Sequence, residues 1–174
     1  SLCTCAAGYS DNNSECTACE EGTFKSAIGT GACGNAQSGY FTSISGTAAT
    51  SAATGETPVS AGNYACTPGT DDGSGTNGVN AAASGECACP AGRYSAGTGN
   101  TACTACEEGK FQASTEQTEC DNAQSGYFAS DHSNNAMASA ATGETQVSAG
   151  NYACISSDDG SGTKGVNAAA SGEC

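Results

Sequence analysis

The cysteines are the residues of this chain whose type and spacing could do chemistry. The 174-residue sequence contains 13 of them, and two pairs have the form Cys16-Thr-Ala-Cys19 and Cys103-Thr-Ala-Cys106. Such pairs serve either zinc coordination or disulfide formation. A zinc site needs further pairs or histidines at ligand spacing, and the chain has a single histidine, His132. We therefore expect disulfides, which persist in an oxidising compartment: extracellular, cell-surface or lumenal.

Catalysis finds little support in the other reactive residues. A cysteine nucleophile would need a free thiol beside a base, and His132 has no counterpart in the first half of the sequence. The adjacent acids Glu20-Glu21 and Glu107-Glu108 are interpreted as solvated charge. We expect no enzyme and no cofactor.

Two acidic, glycine-rich stretches are candidates for calcium binding through clustered oxygens. The first begins at Asp71 and Asp72, and the second begins at Asp158 and Asp159. Their spacing does not match an EF-hand loop, and Lys164 enters the second stretch. A turn built from aspartate and glycine is the favoured interpretation.

The composition limits both the core and the partners. Hydrophobic residues make up 37% of the chain, but many are alanine or cysteine, so covalent cross-links must replace a large core. The net charge of −14 argues against nucleic acid and against an anionic membrane surface. No apolar run is long enough for a membrane span.

Two near-identical copies follow one another with a period of roughly 87 residues. Clear examples are Ser60–Cys66, which recurs as Ser148–Cys154, and Gly78–Cys87, which recurs as Gly165–Cys174. The copies span residues 1–86 and 87–174, and Cys174 opens a third copy. We expect further copies on both sides, and self-association between identical repeats.

A smaller module recurs inside each copy: a cysteine, two residues, a glycine and then an aromatic residue. Cys19-Glu-Glu-Gly-Thr-Phe24 and Cys89-Pro-Ala-Gly-Arg-Tyr94 fit it, whereas Ala36 and Val59 open versions without the cysteine. Small side chains are expected where such a module has lost its bridge. The pattern predicts short β-hairpin and loop modules in tandem, with little helix, arranged as an elongated rod.

The module pattern suggests one disulfide connectivity, although sequence alone does not prove it. If each module closes on itself, Cys3 is left to pair with a preceding copy. Each bridge closes a short loop, worth about 3 kcal/mol in the chain-entropy estimate. Residues 36–57 and 123–145 then carry the least covalent restraint. The suggested pairs are Cys5–Cys16, Cys19–Cys33, Cys66–Cys87, Cys89–Cys103, Cys106–Cys120 and Cys154–Cys174.

Glycosylation is the modification that the sequence suggests. Asn12-Asn-Ser14 is an N-linked acceptor motif at Asn12. The abundant serine and threonine residues, many beside alanine and glycine, suit O-linked glycans in an exported protein.

The stretch from Cys66 through Asp71-Asp72-Gly to Val79, followed by Glu86-Cys87-Ala-Cys89 and Gly92-Arg-Tyr94, resembles the repeat of ciliate surface immobilization antigens. The same arrangement of cysteine, glycine and tyrosine occurs in ephrin-receptor-like and tumour-necrosis-factor-receptor-like modules. The resemblance implies an exported surface-coat glycoprotein of a protist, often lipid-anchored.

Two functions from different classes are compatible with these features. A structural protein of the extracellular surface, forming a coat or a fibre, is favoured because the copies are alike even at polar positions. The alternative is a receptor-like ectodomain that binds a protein ligand. That function would favour divergent copies with exposed aromatic or arginine residues, and the chain has no tryptophan.

Overall fold

The computed structural model describes residues 4–76, 78, 81–155, 157 and 170–174. These residues form only short β-strands, turns and loops, with none in a helix. Within the same residues there is therefore no helix long and apolar enough to cross a membrane. Together with six disulfides, this confirms the predicted class, a small disulfide-rich β protein.

The strands are short because glycine, alanine and polar residues offer few side chains that favour longer ones. In chain order they are β1 (Tyr9–Asn12), β2 (Glu15–Ala18), β3 (Thr23–Phe24), β4 (Gly34–Asn35), β5 (Tyr40–Ile44), β6 (Thr47–Ala48), β7 (Gly55–Pro58), β8 (Asn63–Cys66), β9 (Gly85–Ala88), β10 (Arg93–Tyr94), β11 (Thr104–Ala105), β12 (Lys110–Phe111), β13 (Asp121–Asn122), β14 (Tyr127–Ser130), β15 (Gly143–Gln146), β16 (Ala153–Cys154) and β17 (Gly172–Glu173).

Each small antiparallel sheet corresponds to one module of the sequence. The pairs are β1–β2, β3–β4, β8–β9, β10–β11, β12–β13, β14–β15 and β16–β17, and one sheet has three strands in the order β6-β5-β7. We number the modules 1 to 8 along the chain. They span residues 5–18, 19–35, 36–58, 59–88, 89–105, 106–122, 123–146 and 147–174.

The chain forms two compact units. One comprises Ser1–Ala88 with Gly97–Ala102, and the other comprises Cys89–Ala96 with Cys103–Cys174. The division into copies at residues 86 and 87 concerns the sequence repeat and stays a prediction, as does the rod-like array.

Each unit has a small core of aromatic, aliphatic and alanine side chains. In the first unit Phe41 and Val59 pack with Ala65 and Ala83. In the second unit Phe128, Ala153 and Ala170 are buried together, and Val147 packs against them. Such small clusters cannot offset the ordering entropy of the chain alone, so the cross-links described next carry much of the stability.

Candidate functional site

Six disulfides form among the residues that the structure describes, and they are the six pairs that the module pattern suggests. They are Cys5–Cys16, Cys19–Cys33, Cys66–Cys87, Cys89–Cys103, Cys106–Cys120 and Cys154–Cys174. Cys3 lies outside the described residues. The two cysteines of each Cys-x-x-Cys pair belong to different bridges, so neither pair presents thiolates to a metal.

Each module begins with the same tight turn. In all eight, the residue after the glycine donates its N–H to the carbonyl three residues earlier, at 2.9 to 3.2 Å. The glycine has a positive φ, between 75° and 93°, as the third residue of a type II turn requires. At Gly22 a Cβ atom would lie 1.9 Å from the Ala82 carbonyl oxygen, so space as well as φ demands glycine there.

The turn is held to the last strand of its module, or to the residue just before that strand, in one of two ways. In modules 1, 2, 5 and 6 the first residue is a cysteine, bonded to a cysteine that lies three residues before the next module. Modules 3, 4, 7 and 8 begin with alanine or valine, and a glutamate occupies the place of the second cysteine. We call this glutamate, together with the groups it binds, the glutamate clamp.

The clamps of modules 3 and 7 are nearly the same. One oxygen of Glu56 accepts the Gln37 backbone N–H at 2.7 Å, and the other accepts the Gln37 Nε2 at 2.7 Å. Glu144 binds Gln124 in the same manner, at 2.7 and 2.8 Å. A bidentate, charge-assisted contact thus fixes the turn where no disulfide does. The sequence pattern indicates small side chains such as Val59 at the lost bridge, and it does not reveal this additional glutamate contact.

The clamps of modules 4 and 8 use serine in place of glutamine. Glu86 accepts the Ser60 backbone N–H at 2.8 Å and its hydroxyl at 3.4 Å. Glu173 accepts the same groups of Ser148 at 2.7 and 3.2 Å. The Ser148 N–H, and then its hydroxyl, hold the pKa of Glu173 below its ordinary value. The carboxylate is therefore the form that the clamp binds.

Paired backbone bonds join each of modules 2 to 6 to the segment that follows it along the chain. The Ala52 N–H donates to the Cys19 carbonyl at 2.9 Å, and the Lys25 N–H donates to the Ala53 carbonyl at 3.1 Å. Equivalent pairs of bonds tie modules 3 to 4, 4 to residues 97–102, 5 to 6 and 6 to 7. The donor at the Ala52 position has a positive φ in every case, from 51° to 77°. We call these paired bonds the inter-module ladder.

The sequence suggested that the adjacent glutamates are only solvated charges. Two of them also accept a hydrogen bond from a serine side chain. Glu21 accepts the buried Ser84 hydroxyl at 2.7 Å, and Glu108 accepts the Ser171 hydroxyl at 2.5 Å. Glu107, by contrast, forms an exposed ion pair with Lys110 at 3.5 Å. The second glutamate of each pair therefore bonds across 63 residues of sequence.

The first calcium candidate has the geometry of an aspartate-rich turn. Asp71 accepts the Gly73 N–H at 2.8 Å and the Tyr64 hydroxyl, and Asp72 accepts the Ser74 N–H at 2.9 Å. Burial, and then the bond to Asp71, raises the pKa of Tyr64 to about 12. The second candidate, Asp158 and Asp159, lies outside the described residues. Among the described residues no three His, Cys, Asp or Glu side chains cluster to hold a metal.

The glycosylation motif lies at the tip of the first hairpin. Asn12 is exposed and pairs with Glu15 across a two-residue turn whose residues, Asn13 and Ser14, both have positive φ. His132 is exposed in the loop after β14. These positions are accessible to solvent.

Comparison with known proteins adds no relative to these observations. No protein-family model matches the chain, and no curated protein shows significant similarity to it. The resemblance to ciliate surface antigens stays a prediction from the sequence. Function is therefore inferred from the modules, their clamps and the inter-module ladder.

Proposed function

We propose that this chain is a non-enzymatic structural protein of the extracellular surface, whose tandem repeats build a surface coat or an extracellular fibre. The disulfides support the compartment, because six bridges in a small β protein are typical of proteins of oxidising environments. The small core supports a structural role, because the stability of the chain then comes from its disulfides and from the repeated contacts between modules.

The inter-module ladder is the observation that carries the proposal. Its bonds join backbone atoms, so they form whether the first residue of a module is Cys19, Ala36 or Val59. Because this contact does not depend on side chains, it can recur from module to module without requiring particular residues. Repeat proteins that grow through nearest-neighbour contacts use this principle to build long arrays.

The finer points of the proposal follow from the sequence. Identical copies suit self-association, in which each repeat makes the same contact. The exposed Asn12 and the serine- and threonine-rich loops suit N-linked and O-linked glycans on a coat protein. The resemblance to ciliate surface antigens points to the same class of function.

Imaging of native material tests the proposal directly. Negative-stain micrographs of the source surface, labelled with antibody against this chain, should show either filaments with a regular axial repeat or a dense layer of individual molecules. Filaments would favour the fibre, and a layer would favour the coat. Labelled chains found only in complex with a different protein ligand would contradict both.

One observation favours the receptor-like alternative. The exposed large hydrophobic side chains of the described residues, Tyr9, Ile28 and Ile44, all lie in the first repeat, and Ile28 is 73% exposed. Divergence of this kind suits a ligand contact. An Ile28→Ser, Ile44→Ser variant separates the two functions: a coat or fibre should still assemble, whereas a receptor should lose its ligand.

A further inference from the structure

One segment of seven residues occurs twice in the chain and is buried differently in its two positions. Ser60–Cys66 in module 4 and Ser148–Cys154 in module 8 have the same sequence. Asn63 is buried, at 6% exposure, whereas its counterpart Asn151 is exposed. Because the residues are identical, the difference comes from what lies against each segment.

Residues 97–102 cover the segment in module 4. The Gly99 N–H donates to the Val59 carbonyl at 2.9 Å, and the Ala65 N–H donates to the Asn100 carbonyl at 2.8 Å. These two bonds are one of the pairs that make up the inter-module ladder. Val59 and Ala65 are fully buried beneath it.

The corresponding groups of module 8 are the Val147 carbonyl and the Ala153 N–H. Neither has a hydrogen-bond partner among the described residues. Tyr152 exchanges both of its backbone bonds with Cys174, so the intervening Ala153 directs its N–H away from β17. Ala153 is only 7% exposed, and a nearly buried N–H without a partner is costly.

Modules 2 to 6 show what normally occupies these positions. In each of them the carbonyl of the first residue accepts an N–H, and the N–H six residues later donates to a carbonyl. The accepted N–H and that carbonyl always belong to two consecutive residues. The residue that donates the N–H lies seven residues before the first residue of the module after its own. The partner of module 8 should therefore be another such segment.

We infer that the open edge of module 8, formed by the Val147 carbonyl and the Ala153 N–H, is a docking site for one further module of the kind formed by residues 89–105, attached through Cys174. Gly172-Glu173-Cys174 repeats Gly85-Glu86-Cys87, so a module attached there begins with the connection that places Gly99 and Asn100 on module 4. The inference rests on the proposed function, because it supplies the contact that continues the array.

The test extends the full chain after Cys174 with a second copy of residues 88–105. Amide hydrogen exchange, measured by NMR, compares Ala153 with Ala65 in the same molecule. Exchange at Ala153 should slow by about tenfold or more in the extended chain, while Ala65 stays unchanged. Unchanged exchange at Ala153, with the appended cysteines correctly paired, would overturn the inference.

A matched control carries the Gly99→Pro substitution in the appended copy alone. Proline has no N–H and cannot adopt the positive φ of 77° that Gly99 has, so this extension should leave Ala153 unprotected. Equal protection by both extensions would show that the ladder is not the contact.

Concentration distinguishes an attached module from a second molecule. Protection of Ala153 that rises with concentration of the unextended chain would overturn the inference, because a second copy would then be the occupant. The readout concerns single chains in solution, whereas the proposed function is judged on native material. Failure of one therefore leaves the other standing.

Discussion

Modules 2 and 3 begin with the same turn and take part in the same inter-module ladder, but they are closed differently. Cys19–Cys33 closes module 2, and the carboxylate of Glu56 on Gln37 closes module 3. Either a covalent bond or a charge-assisted contact can therefore fix the turn to the last strand of its module.

The module with the weaker closure has the larger sheet. Module 2 pairs two strands of two residues each, whereas module 3 has three strands, and its β5 has five residues. Phe41, Thr42 and Ser43 on β5 are buried, whereas Phe24 of module 2 is half-buried. Hydrogen bonds and burial thus supply in module 3 part of what the disulfide supplies in module 2.

Removal of the disulfide should have the largest effect. The double variant Cys19→Ala, Cys33→Ala opens a bridge that spans 14 residues of sequence, and we expect the free energy of unfolding to fall by about 3 kcal/mol. Urea denaturation followed by circular dichroism measures it. A loss no larger than that of the Glu56 variant below would contradict the difference between the two closures.

Substitution of a turn glycine should cause the next largest loss in the free energy of unfolding. Gly22→Ala places a methyl group against the Ala82 carbonyl and forces alanine to φ 75°, so it should cost about 2–3 kcal/mol. Gly126→Ala is the matched control, since Gly126 has φ 82° but no atom within 4 Å of the added Cβ. The control should cost only about 1 kcal/mol of backbone strain. Equal losses of stability in the two variants would show that the nearby Ala82 carbonyl is not what requires glycine at position 22.

Disruption of a glutamate clamp should have a smaller effect. Glu56→Gln brings an amide –NH₂ against a donor of Gln37 and removes the charge, so the free energy of unfolding should fall by about 1 kcal/mol. Glu15→Gln on exposed β2 is the control and should change stability little. A Glu56 variant as stable as this control would show that the carboxylate does not hold the turn.

Cysteine spacing predicts the fold well because a disulfide restrains two residues whose type is visible in the sequence. Pairing within each module gives all six bridges of the structure, and the cysteine-free stretch 36–57 contains none. The glycine of each turn was equally visible, because the positive φ at Gly22 or Gly39 leaves few alternatives.

The glutamate clamp was missed because a carboxylate has many ordinary surface roles. Its signal was nevertheless present: Glu56 and Glu86 lie three residues before the next module, where Cys16 and Cys33 lie in bridged modules. The inter-module ladder left no such signal. It uses backbone atoms only, and its donor position holds Ala52 in one module and Glu116 in another.

Acidification should affect the two closures differently, although the effect is the smallest expected here. The folded pKa of Glu173 lies below its ordinary value, so its clamp stabilises module 8 above the ordinary pKa and loses that contribution as pH falls through the folded one. A disulfide has no proton to gain, so modules 1 and 2 should keep their turns over this range. NMR titration should therefore show the Ser148 amide shifting together with the Glu173 carboxyl, while the Ala6 amide in the turn of module 1 stays constant. Glu173→Gln should abolish the shift at Ser148, and an unchanged titration in that variant would assign the shift to another group.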